Sequence, residues 1–94
     1  MQVTLVARPA RDDLHELSVH LREVELDPTG ELLVGEARAL RKRLGDTAEA
    51  TLEITVANEL GVKMDPREHP WLDDAIARAC KVFQGERGTR PAAR

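Results

Sequence analysis

The stretch Asp12-Asp13-Leu14-His15-Glu16-Leu17-Ser18-Val19-His20-Leu21-Arg22-Glu23-Val24-Glu25-Leu26 carries two periods at once, and the choice between them sets the order of elements in the chain. Leu14, Leu17, Leu21 and Val24 recur at spacings of three, four and three, the stripe of an amphipathic helix. Asp12 and Asp13 then stand where a helix N-terminus favours negative charge. Leu17, Val19 and Leu21 also alternate as a strand does, with a bulge before Val24 and Leu26. The segment is rich in Leu and Glu and has only two β-branched residues, so the expectation is a helix over 12–26.

Its flanks are easier to read. Upstream, Val3, Leu5 and Ala7 alternate with Thr4, Val6 and Arg8, which predicts a first strand ending at Pro9. Downstream, Asp27-Pro28-Thr29-Gly30 has the residues of a tight turn: Asp to cap, Pro to preset φ, Gly to close. Residues 31–44 fit a helix through Leu33, Ala37, Leu40 and Leu44 ending at Gly45, or a strand through Leu32, Val34, Arg38 and Leu40. The clearest strand lies over 51–56, where Thr51, Glu53 and Thr55 alternate with Leu52, Ile54 and Val56. Asn58-Glu59-Leu60-Gly61 turns it back into a short return strand, Val62-Lys63-Met64, stopped by Asp65-Pro66. Pro70 opens a last helix with Asp73 and Asp74 in its early turns, a buried stripe of Leu72, Ile76, Ala79, Cys80 and Phe83, and an end at Gly85.

The chain has 94 residues, enough for one core, and 41% of them are apolar. Trp71 and Phe83 are the only aromatics, so the core is built from aliphatic side chains, with Trp71 as a lid at a helix start. The expected organisation is one α+β domain over 1–85 and a disordered basic tail over 86–94. Helices pack on one face of a mostly antiparallel sheet, in the order β-α-β-β-β-α. The alternative is a duplicated ββα unit, suggested by the echo of Val24-Glu25-Leu26-Asp27-Pro28 in Val62-Lys63-Met64-Asp65-Pro66. Asp-Pro ends many elements, so the echo is read as coincidence.

Chemistry is sparse. His15 and His20 are five apart and share neither a helix face nor a strand face, so no metal site is expected. Cys80 lies on an apolar stripe and reads as an inert core thiol; as the sole cysteine it forms no internal disulfide. The Asp12-Asp13 and Asp73-Asp74 pairs read as helix-end charges, and Gly30, Gly35 and Gly45 form no phosphate loop. No enzyme activity, cofactor or small-molecule substrate is expected. No leader or membrane span is apparent, which points to the cytoplasm. The net charge of -3 excludes coating nucleic acid through bulk charge but leaves room for a local patch, and Arg38, Arg41, Lys42 and Arg43 are the strongest one.

The opening Met1-Gln2-Val3-Thr4-Leu5-Val6-Ala7-Arg8, together with Asp12-Asp13-Leu14, Ala48-Glu49-Ala50-Thr51-Leu52 and Trp71-Leu72-Asp73-Asp74-Ala75-Ile76, resembles the ribosome hibernation-promoting factor (sigma-54 modulation) family in its short form. Ala77 stands where that family usually has Asp, and Arg22 is the one basic residue in a segment that is Lys-rich in the family. The resemblance implies a non-enzymatic ribosome- and RNA-binding protein that inhibits translation by occupying the small-subunit channel. Its partners would be ribosomal RNA or the small ribosomal subunit, contacted through phosphates by Arg8, Arg38, Arg41, Lys42, Arg43 and Lys81. Of these, only Arg8 lies in a matched motif; the others are chosen for charge. A shorter stretch, Leu40-Arg41-Lys42-Arg43-Leu44-Gly45-Asp46-Thr47, is similar to a segment of small swapped-hairpin β-barrels. The competing functional reading is a protein-interaction or homodimerisation module paired through strand edges, with Val62-Lys63-Met64 as the candidate edge.

Overall fold

The computed structural model describes residues 1–88. The chain is an α+β domain: β1 (Gln2–Pro9), β2 (Leu17–Leu21), α1 (Glu31–Leu44), β3 (Ala50–Ala57), a single 3-10 turn at Pro66–Glu68, and α2 (Pro70–Gly88). The sheet has three strands in the order β2-β1-β3, with β1 antiparallel to both neighbours. α1 therefore carries the chain from one side of β1 to the other. The face of the sheet bearing Val3, Leu5 and Ala7, all fully buried, packs under the helices. The opposite face is left to solvent.

The expected helix over 12–26 is not formed. Asp12 and Asp13 lie in the turn between β1 and β2, and Leu17–Leu21 is a strand paired with Val3–Ala7 in the register Leu5↔Val19. Leu17 and Leu21 serve both periods, so local propensity alone decides poorly. A helix here would leave this side of β1 unpaired, and buried backbone groups must be paired. The ladder satisfies them and sets Leu17, Val19 and Leu21 on the helix side, where each is half-buried. Leu14, which the helical stripe would bury, is 37% exposed. The bulge of the strand alternative is present: Glu23 has φ 57, and Val24 re-pairs with Met1, its N–H donating to the Met1 carbonyl at 3.0 Å.

The element order is thus β-β-α-β-α, not β-α-β-β-β-α. Residues 31–44 take the helical alternative, so Leu40–Thr47 forms the end of α1 and a turn, not a barrel hairpin. The turn at Asp27–Gly30 forms as expected, closed by a Gly30 N–H to Asp27 carbonyl bond of 3.1 Å. Gly30 is required there. Its φ is +72, and a Cβ would stand 3.0 Å from the Ala75 Cβ on α2. Glu31 in the first turn of α1 and Arg41, Lys42 and Arg43 in the last suit the helix dipole.

Val62–Met64 is less than the strand expected. A single bridge joins Lys63 to Ala57, and the Met64 N–H donates to the Val56 carbonyl at 2.8 Å. The two echoing segments nevertheless do the same job. Each follows a strand and enters a helical turn, and each aspartate accepts from a downstream N–H, Asp27 from Gly30 at 3.2 Å and Asp65 from Arg67 at 2.9 Å. α2 runs past the expected stop at Gly85 to Gly88, and the remaining predicted tail, 89–94, lies outside the described residues.

Candidate interaction edge

The six cations expected to meet RNA do not form one set. Arg41 is fully buried. Its Nε donates to the Phe83 carbonyl at 3.0 Å, and its Nη1 donates to the carbonyls of Gly45 at 2.9 Å and Ala48 at 2.7 Å. The guanidinium carbon sits 4.2 Å from the centre of the Phe83 ring. Arg41 therefore ties the end of α1 and the following turn to α2, and no phosphate reaches it in the folded chain. Arg8 is exposed on the open sheet face but is held between Glu16, at 2.9 Å, and Glu53; these carboxylates raise its pKa further by hydrogen bonding and charge. Arg38, Lys42, Arg43 and Lys81 are exposed on the outer faces of the helices.

The remaining chemistry-bearing groups are quiet. Cys80 is half-buried with Sγ 3.7 Å from the Leu52 carbonyl, and burial raises its pKa. Among the described residues no three of His, Cys, Asp and Glu gather as a metal site would need. No helix among them is long and apolar enough to cross a membrane. Thr4 Oγ1 and His20 Nδ1 form a hydroxyl–imidazole pair at 2.8 Å, on the solvent-facing side of the sheet. Surface hollows beside Arg8, Glu49 and Gln84, and beside Arg22, Glu23 and Glu59, mix charges of both signs, and neither is lined by that pair.

The two edges of the sheet differ. Along β3, the Asn58–Val62 turn folds back so that Asn58 and Val56 bond to Val62 and Met64. The turn is braced by the Asn58 side chain, whose Oδ1 accepts from the N–H groups of Leu60 at 2.9 Å and Val62 at 3.0 Å. Leu60 at 87% and Val62 at 58% exposure stand at its tip. Among the described residues β2 has no such shield; it is the outer strand of the sheet order.

The direction of its free backbone groups follows from the ladder. Alternate residues of an antiparallel strand send both polar groups to the same neighbour. Met1 exchanges bonds with Val24, so on β1 the odd residues face β2 and their partners Leu17, Val19 and Leu21 are committed. The N–H and C=O groups of Ser18 and His20 then point off the edge, and both residues are exposed. An edge strand with unpaired backbone groups and no Lys or Pro within it is a template for a further strand. Sequence reasoning missed this edge because it placed these residues in a helix and sought the edge at Val62–Met64. Its signal was present in the alternation of Leu17, Val19 and Leu21. No protein-family model, curated protein or solved structure matches this chain.

Proposed function

We propose that this chain is a non-enzymatic protein-interaction module that works by accepting a strand of a protein partner along β2. The observation that carries this reading is the asymmetry of the sheet. The β3 edge is shielded by Val62–Met64, whereas β2 presents the backbone of Ser18 and His20 beside a half-exposed apolar row, Leu17, Val19 and Leu21. Main-chain bonds would supply affinity, and the apolar row would supply specificity. Ribosome binding is the second reading. In its favour are the adjacent exposed cations Lys42 and Arg43, on the same outer helical layer as Arg38 and Lys81.

One experiment separates the two. A photoreactive amino acid is placed in turn at Ser18, His20, Lys42 and Lys81, and the protein is irradiated in its own cells. Protein adducts from Ser18 and His20, without adducts from the helix positions, support the strand-accepting reading. RNA adducts from Lys42 and Lys81, with none from β2, would overturn it in favour of the ribosome. Those RNA adducts should also fall with salt, since log affinity drops by roughly 0.7 per phosphate contact per log unit of salt on single strands.

A further inference from the structure

We infer that the strand accepted by β2 is β2 of a second copy of this chain, paired antiparallel about Val19; this rests on the strand-accepting reading above. The argument is self-complementarity. A twofold axis through Val19 opposes residues whose numbers sum to 38. Leu17 then meets Leu21 of the second copy, Ser18 meets His20, and Val19 meets itself. One step outward, Glu16 meets Arg22, a carboxylate against a guanidinium, twice by symmetry. Apolar faces apolar, hydroxyl faces imidazole, and negative faces positive along the seven residues from 16 to 22, as an isologous interface requires.

The backbone agrees with the side chains. The ladder leaves the polar groups of Ser18 and His20 free, and these are the residues that this register opposes. Ser18 would exchange both main-chain bonds with His20 of the second copy, and His20 with Ser18. Val19 would sit in the close, non-hydrogen-bonded pair, where side chains approach most nearly. Pairing about Ser18 instead would oppose Leu17 to Val19 but bring Glu16 against His20, and pairing about His20 would oppose Val19 to Leu21 but bring Ser18 against Arg22; either register loses the ion pairs. The ladder has natural limits. Asp12 and Asp13 lie in a turn before it, and at its far end the backbone swings away at Glu23, φ 57. On the helix side, Leu17, Val19 and Leu21 of both copies would close over one another, burying what a single copy leaves half-exposed.

The test is sedimentation velocity from low-micromolar to near-millimolar concentration, on the intact chain and three variants. The intact chain is expected to dimerise. Ser18→Pro removes an N–H that points off the edge and no hydrogen bond of the ladder to β1, so it should keep the circular dichroism spectrum and weaken the dimer about tenfold or more. Glu16→Arg and Arg22→Glu should each weaken self-association. Mixed together they should restore a dimer, because each ion pair then has one member of each sign. These two lie outside β2, so they report even if Ser18→Pro fails to fold. An intact chain that stays monomeric throughout would overturn the inference. So would a dimer indifferent to Ser18→Pro, or variants whose mixture associates no better than either alone. Photo-crosslinking of a different protein from Ser18, with a monomeric intact chain, would remove self-pairing and leave the strand-accepting module standing.

Discussion

Replacing Arg41 should cost stability, not binding. In Arg41→Ala the two buried methylenes beyond Cβ are lost, worth about 0.8 kcal/mol each, or roughly 1.6 kcal/mol. The carbonyls of Phe83, Gly45 and Ala48 also lose a charged donor. Hydrogen bonds to charged groups are worth about 1.5–3 kcal/mol each before the guanidinium's desolvation is set against them. Two of these bonds are only partly buried, so water can recover part of their value. The net expectation is a loss of about 3–4 kcal/mol, near the lower end of what breaking a buried charged interaction costs. For a domain of this size that lowers the melting temperature by roughly 15–25 °C. Arg41→Met keeps the apolar stem over Phe83 and should lose about half as much. The assay is urea and thermal unfolding followed by far-ultraviolet circular dichroism. A melting temperature for Arg41→Ala within about 4 °C of the parent would refute the structural assignment.

Two glycines offer an opposed pair. Gly30→Ala forces a side chain into φ +72 and against Ala75, and should lose about 2 kcal/mol in a denaturant titration, whereas Gly35→Ala, in open space on α1, should gain about 0.5–1 kcal/mol. Asp27 and Asp65 have lowered pKa values, Asp27 chiefly through the Thr29 hydroxyl and Asp65 through the Arg67 side chain. Their contribution is complete above the unfolded aspartate value of about 3.9 and is lost as pH falls through their lower folded values. The urea midpoint of the parent should therefore fall more steeply below about pH 4 than that of Asp27→Asn with Asp65→Asn; parallel curves would contradict the assignment. Burial raises the Cys80 pKa, so the native chain should react with a maleimide more slowly than the urea-unfolded chain at pH 7.5 to 8, and equal rates would place the thiol outside the core.

What could be read from the residues was what short-range chemistry decides. The turn at Asp27–Gly30 needs only its own four residues, and the alternation over 51–56 and the stripe of α2 each fit one period. Leu72, Ala79 and Phe83 are fully buried as the stripe predicts, with Ala75 in place of a deeper Ile76. The segment 12–26 resisted because its leucines satisfy two periods and the deciding partner, β1, is fixed by pairing across the chain. Arg41 was misread because charge was taken as a sign of exposure. Leu33, Ala37 and Arg41 form one row at spacing four, and that row turns toward α2. With Arg41 inside, the basic cluster seen in the sequence is reduced at the surface to Arg38, Lys42 and Arg43.

The short turn at Asn58–Met64 does more than end a strand. A sheet with two bare edges can add copies at both, and such addition has no stopping point; it runs on as a fibre. Here Lys63 bridges to Ala57 and occupies one side. A strand joining at β2 would therefore use the one side left among the described residues, and a symmetric pair joined there would have only shielded sides facing outward. If copies join at β2, this seven-residue loop with a single bridge would act as a terminator of polymerisation, and weakening its brace at Asn58 would trade a finite assembly for an unlimited one.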